Sequence, residues 1–179
     1  SPVTDWFPWL SQELDKRGYT VILPEIPGTE APSIKVWVPF LQKLVKKADN
    51  DTYFIGHSVG CQAILRYLEK LPGNMNIGGV VLVAPWLSLK KLETEEEEKI
   101  ARPWLKKKID FKTIRKHSEK FTAIFSDNDY YVPLSNRKLF SEILGAKIIT
   151  VKGKGHISGA DGVRKLPVVL KAILDIVSK

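Results

Sequence analysis

The sequence predicts an α/β sandwich: a mostly parallel sheet with helices on both faces. Three observations carry this. Apolar strand-like runs alternate with helix-like segments along all 179 residues. Such alternation demands crossover connections, and crossovers pair strands in parallel. The run Gly79-Val80-Val81-Leu82-Val83-Ala84 is apolar throughout, as a strand covered on both faces must be. The pentapeptide Gly56-His57-Ser58-Val59-Gly60 stands between a strand-like and a helix-like run, where the chain must turn sharply.

Each element has its own signal. Residues from about 5 to 17 read as a helix with Leu10 and Leu14 on one face. Pro8 falls early, where a helix tolerates it. Tyr19-Thr20-Val21-Ile22-Leu23 reads as a short buried strand closed by Pro24, and Pro27, Gly28 and Pro32 mark a loop. Residues 34–47 are amphipathic and helical, with Pro39 kinking them. Thr52-Tyr53-Phe54-Ile55 is rich in strand formers. After the pentapeptide, Cys61, Ile64, Leu65, Leu68 and Leu71 recur at helical spacing until Pro72-Gly73. Residues 86–118 are polar and helical and form the only candidate lid; their run Glu95-Glu96-Glu97-Glu98 reads as a solvated face. Strands at 121–125 and 147–151 flank a helix at 134–144 ended by Gly145, and an amphipathic helix follows at 166–177. Length and an apolar share of 44% fit one domain, residues 1–179.

Composition narrows the function. The net charge is +8, which raises nucleic-acid or membrane-surface binding. The lysines are instead scattered along helices, as at Lys43, Lys46, Lys47, Lys90, Lys91, Lys106, Lys107, Lys108, Lys116 and Lys120, with no nucleic-acid motif among them. They read as solvated faces, so the expectation is no nucleic acid and no membrane. No apolar stretch approaches a membrane span and no secretory leader is read. Cys61 is the sole cysteine, so no internal disulfide can form, and a cytoplasmic location fits. It reads as a small core residue. No Cys/His cluster has metal-ligand spacing, and neither metal nor organic cofactor is expected.

The pentapeptide reads G-x-S-x-G, the nucleophile elbow. Its serine needs a strained backbone, and side chains at Gly56 or Gly60 are expected to collide with the adjoining strand and helix. The following helix aims its N-terminal amides at the place where negative charge would develop. In parallel sheets chemistry gathers at the carboxyl ends of strands. Ser58 follows one strand, Pro85-Trp86 the next, Asp127 and Asp129 the next, and His156 the last. Serine, acid and histidine thus emerge at one edge in the chain order of the α/β-hydrolase fold. Ser58 would be the nucleophile, His156 its base, and the Val59 N–H an oxyanion donor. Spacing leaves Asp127 and Asp129 both open as the acid. Asp161 lies on the wrong side of His156 for that order. His57 reads as packing or pocket contact, and His117, in a lysine-rich helix, as a surface residue. Trp86 and Tyr130, with Tyr131, Trp6 and Trp9, are candidates for an aromatic substrate pocket.

The segments Asp5-Trp6-Phe7-Pro8-Trp9-Leu10, Tyr53 through Cys61, Ala63 through Glu69 and Gly155-His156 resemble the small serine hydrolases of the YdeN and retinoblastoma-binding-protein-nine type. The similarity spans essentially the whole chain. It implies a compact α/β-hydrolase with little or no cap, and a triad acid standing before an x-x-V-P-like stretch, which maps onto Asp129. It also implies an apolar strand and a His-Gly loop ahead of the D-W-F-P-W-L helix, lying in the sheet between 19–23 and the elbow strand. That loop would supply a second oxyanion N–H. The sequence opens at Ser1-Pro2-Val3-Thr4. The expectation is therefore an N-terminal segment of roughly 10–15 residues not in the printed chain, or a strand supplied by another chain. These 179 residues expressed alone should then aggregate or show little activity. The expected function is cleavage of a small ester, thioester or amide acyl substrate. The alternative is a non-catalytic protein-interaction module on the same scaffold.

Overall fold

The computed structural model describes residues 5–178. Four strands, β1 (Tyr53–His57), β2 (Gly79–Val83), β3 (Phe121–Ser126) and β4 (Lys147–Val151), lie side by side in chain order, all parallel. Among the described residues seven helices surround them: α1 (Phe7–Asp15), α2 (Ile34–Leu44), α3 (Val59–Leu68), α4 (Glu95–Lys106), α5 (Phe111–Arg115), α6 (Ser135–Leu144) and α7 (Pro167–Val177).

Side chains alternate across each strand, and the two sheet faces build separate cores. Val81, Val83 and Ile124 pack with Trp6, Leu10, Leu14 and the buried face of α7. Val80, Leu82, Ala123 and Phe125 pack with Trp37, Leu65, Leu68, Ile114 and Phe140 on the opposite side. β2 and β3 are buried along their whole length, and the unbroken apolar run of β2 is what the three-layer arrangement requires. Helix ends follow local chemistry. Gly145 closes α6 at φ 67°, a left-handed conformation glycine adopts without strain. Thr94 and Glu97 form a reciprocal capping box that starts α4.

Residues 19–23 do not form the expected strand. Ile22 is 64% exposed rather than buried. The physical reason is pairing: among the described residues β1 has only β2 as a strand neighbour, so this stretch has no ladder to join. The polar stretch after β2 resolves into an irregular segment at 86–94 followed by α4 and α5. His117 is also not a surface residue. It is 1% exposed, and its Nδ1 donates to the Met75 carbonyl at 2.6 Å.

The two elbow glycines differ. A Cβ on Gly56 would sit 2.7 Å from Ile64 Cδ1 and 3.0 Å from the Cys61 amide nitrogen, whereas one on Gly60 would meet nothing within 4 Å. The expected collision therefore holds at Gly56 alone. Gly56→Ala should lower stability by roughly 1–3 kcal/mol in urea unfolding, the range for forcing an extra carbon into a packed site. Gly60→Ala should stay within about 1 kcal/mol of the parent or gain slightly, since alanine favours a helix over glycine.

Candidate active site

Three connections leave the carboxyl edge of the sheet and converge. The first runs from β1 into α3. Its corner, Ser58, stands at φ 50° and ψ −119°, far from ordinary backbone. The Ser58 amide donates to the Val83 carbonyl at 2.9 Å, tying the corner to β2. Ser58 is half-buried rather than sealed in the core. Val59 is the first residue of α3, and its N–H has no carbonyl one helical turn back to bind.

The second connection follows β3. Asp129 sits in a tight turn, with its Oδ1 accepting the Tyr131 and Val132 amides at 2.8 and 2.9 Å. The third follows β4 and carries His156. Its Nδ1 lies 2.9 Å from Asp129 Oδ2, and its Nε2 lies 2.8 Å from Ser58 Oγ. Burial pushes the Asp129 carboxyl up. The hydrogen bond and charge of His156, with the two turn amides, outweigh this and hold it below its ordinary value. An ionised carboxylate only accepts, so Nδ1 carries the imidazole proton and Nε2 faces Ser58 with its lone pair. Asp127 does other work: its Oδ1 accepts the Gly153 amide at 2.8 Å and shapes the turn after β4. Of the two aspartates that spacing leaves open, Asp129 is the one within hydrogen-bond reach of His156.

The predicted pocket residues divide. Trp86 packs beside Ser58, with its indole N–H directed at Oγ from 3.4 Å. Tyr130 is 47% exposed and stands at the rim, 6.1 Å from the His156 ring centre. Tyr131 presents its ring edge-to-face to His156 at 5.1 Å, while its hydroxyl donates to Glu97 at 2.7 Å. His57 turns to the backbone, with Nε2–H donating to the His156 carbonyl at 2.8 Å. Trp6 is fully buried, and Trp9 is partly buried against the core on the α1 side of the sheet. Composition alone did not reveal Glu97 as a site neighbour; the Thr94-x-x-Glu97 spacing was the readable signal.

Strain concentrates here. Among the described residues, the non-glycine ones at positive φ are Ser58, Ala84 at 46° and Ile157 at 57°. Each such residue costs about 1–3 kcal/mol and persists only where its surroundings over-determine it. Ala84 turns the chain after β2 to present Trp86, and Ile157 adjoins His156.

A parallel sheet with a strained serine corner and a Ser-His-Asp constellation at its carboxyl edge defines an α/β-hydrolase-type protein. Comparison with known proteins agrees. The chain matches the family model described as serine hydrolase over residues 1–175 and belongs to that family. It is 29% identical to the YdeN protein of Bacillus subtilis over 180 residues, covering 100% of this chain and 92% of that protein. The crystal structure of the B. subtilis ydeN gene product superposes with a TM-score of 0.90, covering 100% of this chain and 94% of that one. The serine hydrolase RBBP9 of Rattus norvegicus is 26% identical over 158 residues, covering 87% of this chain and 80% of that protein. The esterase domain of a Rhodothermus marinus protein shares the fold, with a TM-score of 0.63 at 15% identity, covering 98% and 82% of the two chains. The protein is a hydrolase. No helix among the described residues is long and apolar enough to cross a membrane.

One consequence is measurable in stability. Burial, then the neighbouring His156 charge, lowers His57 from its ordinary 6.5 to about 4; its bond to the His156 carbonyl and the charges of Asp5 and Asp129 oppose this less strongly. The unfolded chain therefore takes up this proton first. Stability should fall as pH drops from about 6.5 to about 4 and gain no further loss from this group below that. Asp129, lowered from 3.8, loses its contribution only at more acid pH. Urea midpoints across a pH series should show the slope in the parent and a flatter one in His57→Gln.

Proposed function

We propose that this hydrolase cleaves a small ester, thioester or amide through Ser58, His156 and Asp129, with an acyl-enzyme intermediate. One observation carries the reading: Ser58 Oγ, His156 and Asp129 form a continuous hydrogen-bonded line with steps of 2.8 and 2.9 Å. A serine hydroxyl is a weak nucleophile until a base takes its proton. His156 Nε2 accepts that proton as Oγ attacks the carbonyl carbon of the substrate. The tetrahedral oxyanion receives a hydrogen bond from the Val59 N–H at the start of α3, where the helix dipole also favours negative charge. Asp129 stabilises the imidazolium and keeps its tautomer. His156 then protonates the leaving alcohol, thiol or amine, and the acyl group remains on Ser58. A water molecule, deprotonated by the same imidazole, releases the acid and restores the hydroxyl.

Trp86 and Tyr130 give the approach to Ser58 an aromatic character that suits an apolar acyl group. Reactants of this class are small and diffusible, and a cytoplasmic location suits a chain with a single thiol, buried at Cys61.

A fluorophosphonate probe should label the protein at Ser58, and Ser58→Ala should abolish both labelling and turnover of p-nitrophenyl esters. Absence of labelling in folded protein overturns the reading. Asp129→Asn should lower kcat by roughly 10³–10⁴-fold, because the amide stabilises the wrong tautomer. Asp127→Asn should cost less than about tenfold, since it touches only a turn; the opposite ranking would reassign the acid.

A further inference from the structure

His156 occupies an awkward stretch of chain. Gly155 before it stands at φ 53° and Ile157 after it at φ 57°. A β-branched residue resists that conformation, so the turn would relax unless its carbonyls and amides were held. They are held by side chains from two distant parts of the sequence. His57 donates through Nε2–H to the His156 carbonyl at 2.8 Å. Trp6 donates through its indole N–H to the Ile157 carbonyl at 3.0 Å. Asp5 accepts the Gly159 amide through Oδ1.

The holders are themselves fixed. The Trp6 and His57 rings meet edge-to-face with centroids 6.3 Å apart, and Trp6 stacks on Phe7 at 4.1 Å. Trp6 is fully buried. Two consecutive carbonyls, one on each side of the Cα of Ile157, are thus gripped by two neighbouring ring N–H groups. Moving either carbonyl would leave a buried donor without a partner, which resists the motion.

We propose that Asp5, Trp6 and His57 are positioning residues that hold the His156 loop in the register where Nε2 meets Ser58 Oγ. This rests on the mechanism proposed above and extends it to the D-W-F-P-W-L segment, which the chemistry otherwise leaves without a task. The neutral state of His57 is part of the device, since Nε2–H must donate while its neighbour His156 gains and loses a proton. Burial and the His156 charge keep it neutral down to about pH 4. The charged groups facing it are His156, Asp5 and Asp129.

The test compares variants that keep shape with variants that keep the donor. Trp6→Phe retains an aromatic ring and removes the N–H. His57→Leu removes the donor, and His57→Gln returns an N–H at nearly the same distance from the backbone. Trp6→Phe and His57→Leu should each lower kcat about 10- to 100-fold per folded molecule, with KM within about twofold, the size expected for a misplaced base. His57→Gln should recover most of the loss. Folded fraction is read by circular dichroism on each sample. Wild-type kcat in Trp6→Phe and His57→Leu overturns the proposal, as does a His57→Gln as impaired as His57→Leu. Ser58→Ala and His156→Ala separate the two readings. Activity surviving in either sinks the mechanism itself; loss in both, with the positioning variants fully active, sinks the positioning role alone.

Discussion

Backbone held against its preference is the constraint around which this structure is organised. Ser58, Ala84 and Ile157 all lie in connections that leave the carboxyl edge of the sheet, and each stands at positive φ. A strand that flowed smoothly into its helix would carry the serine away from solvent. The sharp corner instead lifts the hydroxyl above the strand ends, beside the first amide of α3. Maintaining such corners requires a rigid base, and the dry parallel ladder of β2 and β3 supplies it. The Gly56 position shows how tight that base is, since even one added carbon there meets Ile64 and the α3 backbone.

The acid and the imidazole depend on the same edge in a different way. Asp129 is fixed by amides two and three residues on in its own turn, so local sequence settles its orientation. The His156 loop has less local support. Its carbonyls are bound by Trp6 and His57, 151 and 99 residues away in the chain. Its amides fall partly to Asn128, which accepts from Gly155 at 2.9 Å. The loop of the base and the turn of the acid are thereby joined through backbone as well as through the imidazole.

What could be read in the sequence follows the distinction between local and distant causes. The four paired strands, the serine corner and the helix end at Gly145 rest on patterns within a few residues, and they were legible. The convergence of Ser58, an aspartate and His156 followed from parallel topology, which puts alternate connections on one edge. Segment 19–23 was misread because an apolar run becomes a strand only if a neighbour offers a ladder. His117 was misread because a lysine-rich flank conceals a side chain that turns inward to Met75. Gly60 looked like a steric requirement and is open space. Trp6 looked like a pocket wall and is a buried donor, because spacing along a helix says nothing of which distant carbonyl a ring nitrogen will find.

Arg66 of α3 ties down the segment that follows β2. Its guanidinium is buried, and among the described residues no carboxylate forms an ion pair with it, Glu69 acting only through its charge. It is bound instead by the Trp104 and Lys107 carbonyls, both at 2.7 Å, and by Gln62, which also donates to the Trp86 carbonyl. At the other end of α4, Glu97 is fastened to Tyr131, and ahead of it Lys90 reaches the Asp129 carbonyl. Both ends of α4 and the chain leading into it are thus tied to other elements by hydrogen bonds. Tyr130, half-exposed beside the His156 ring, is left as a large side chain at the edge of the site that none of these ties holds.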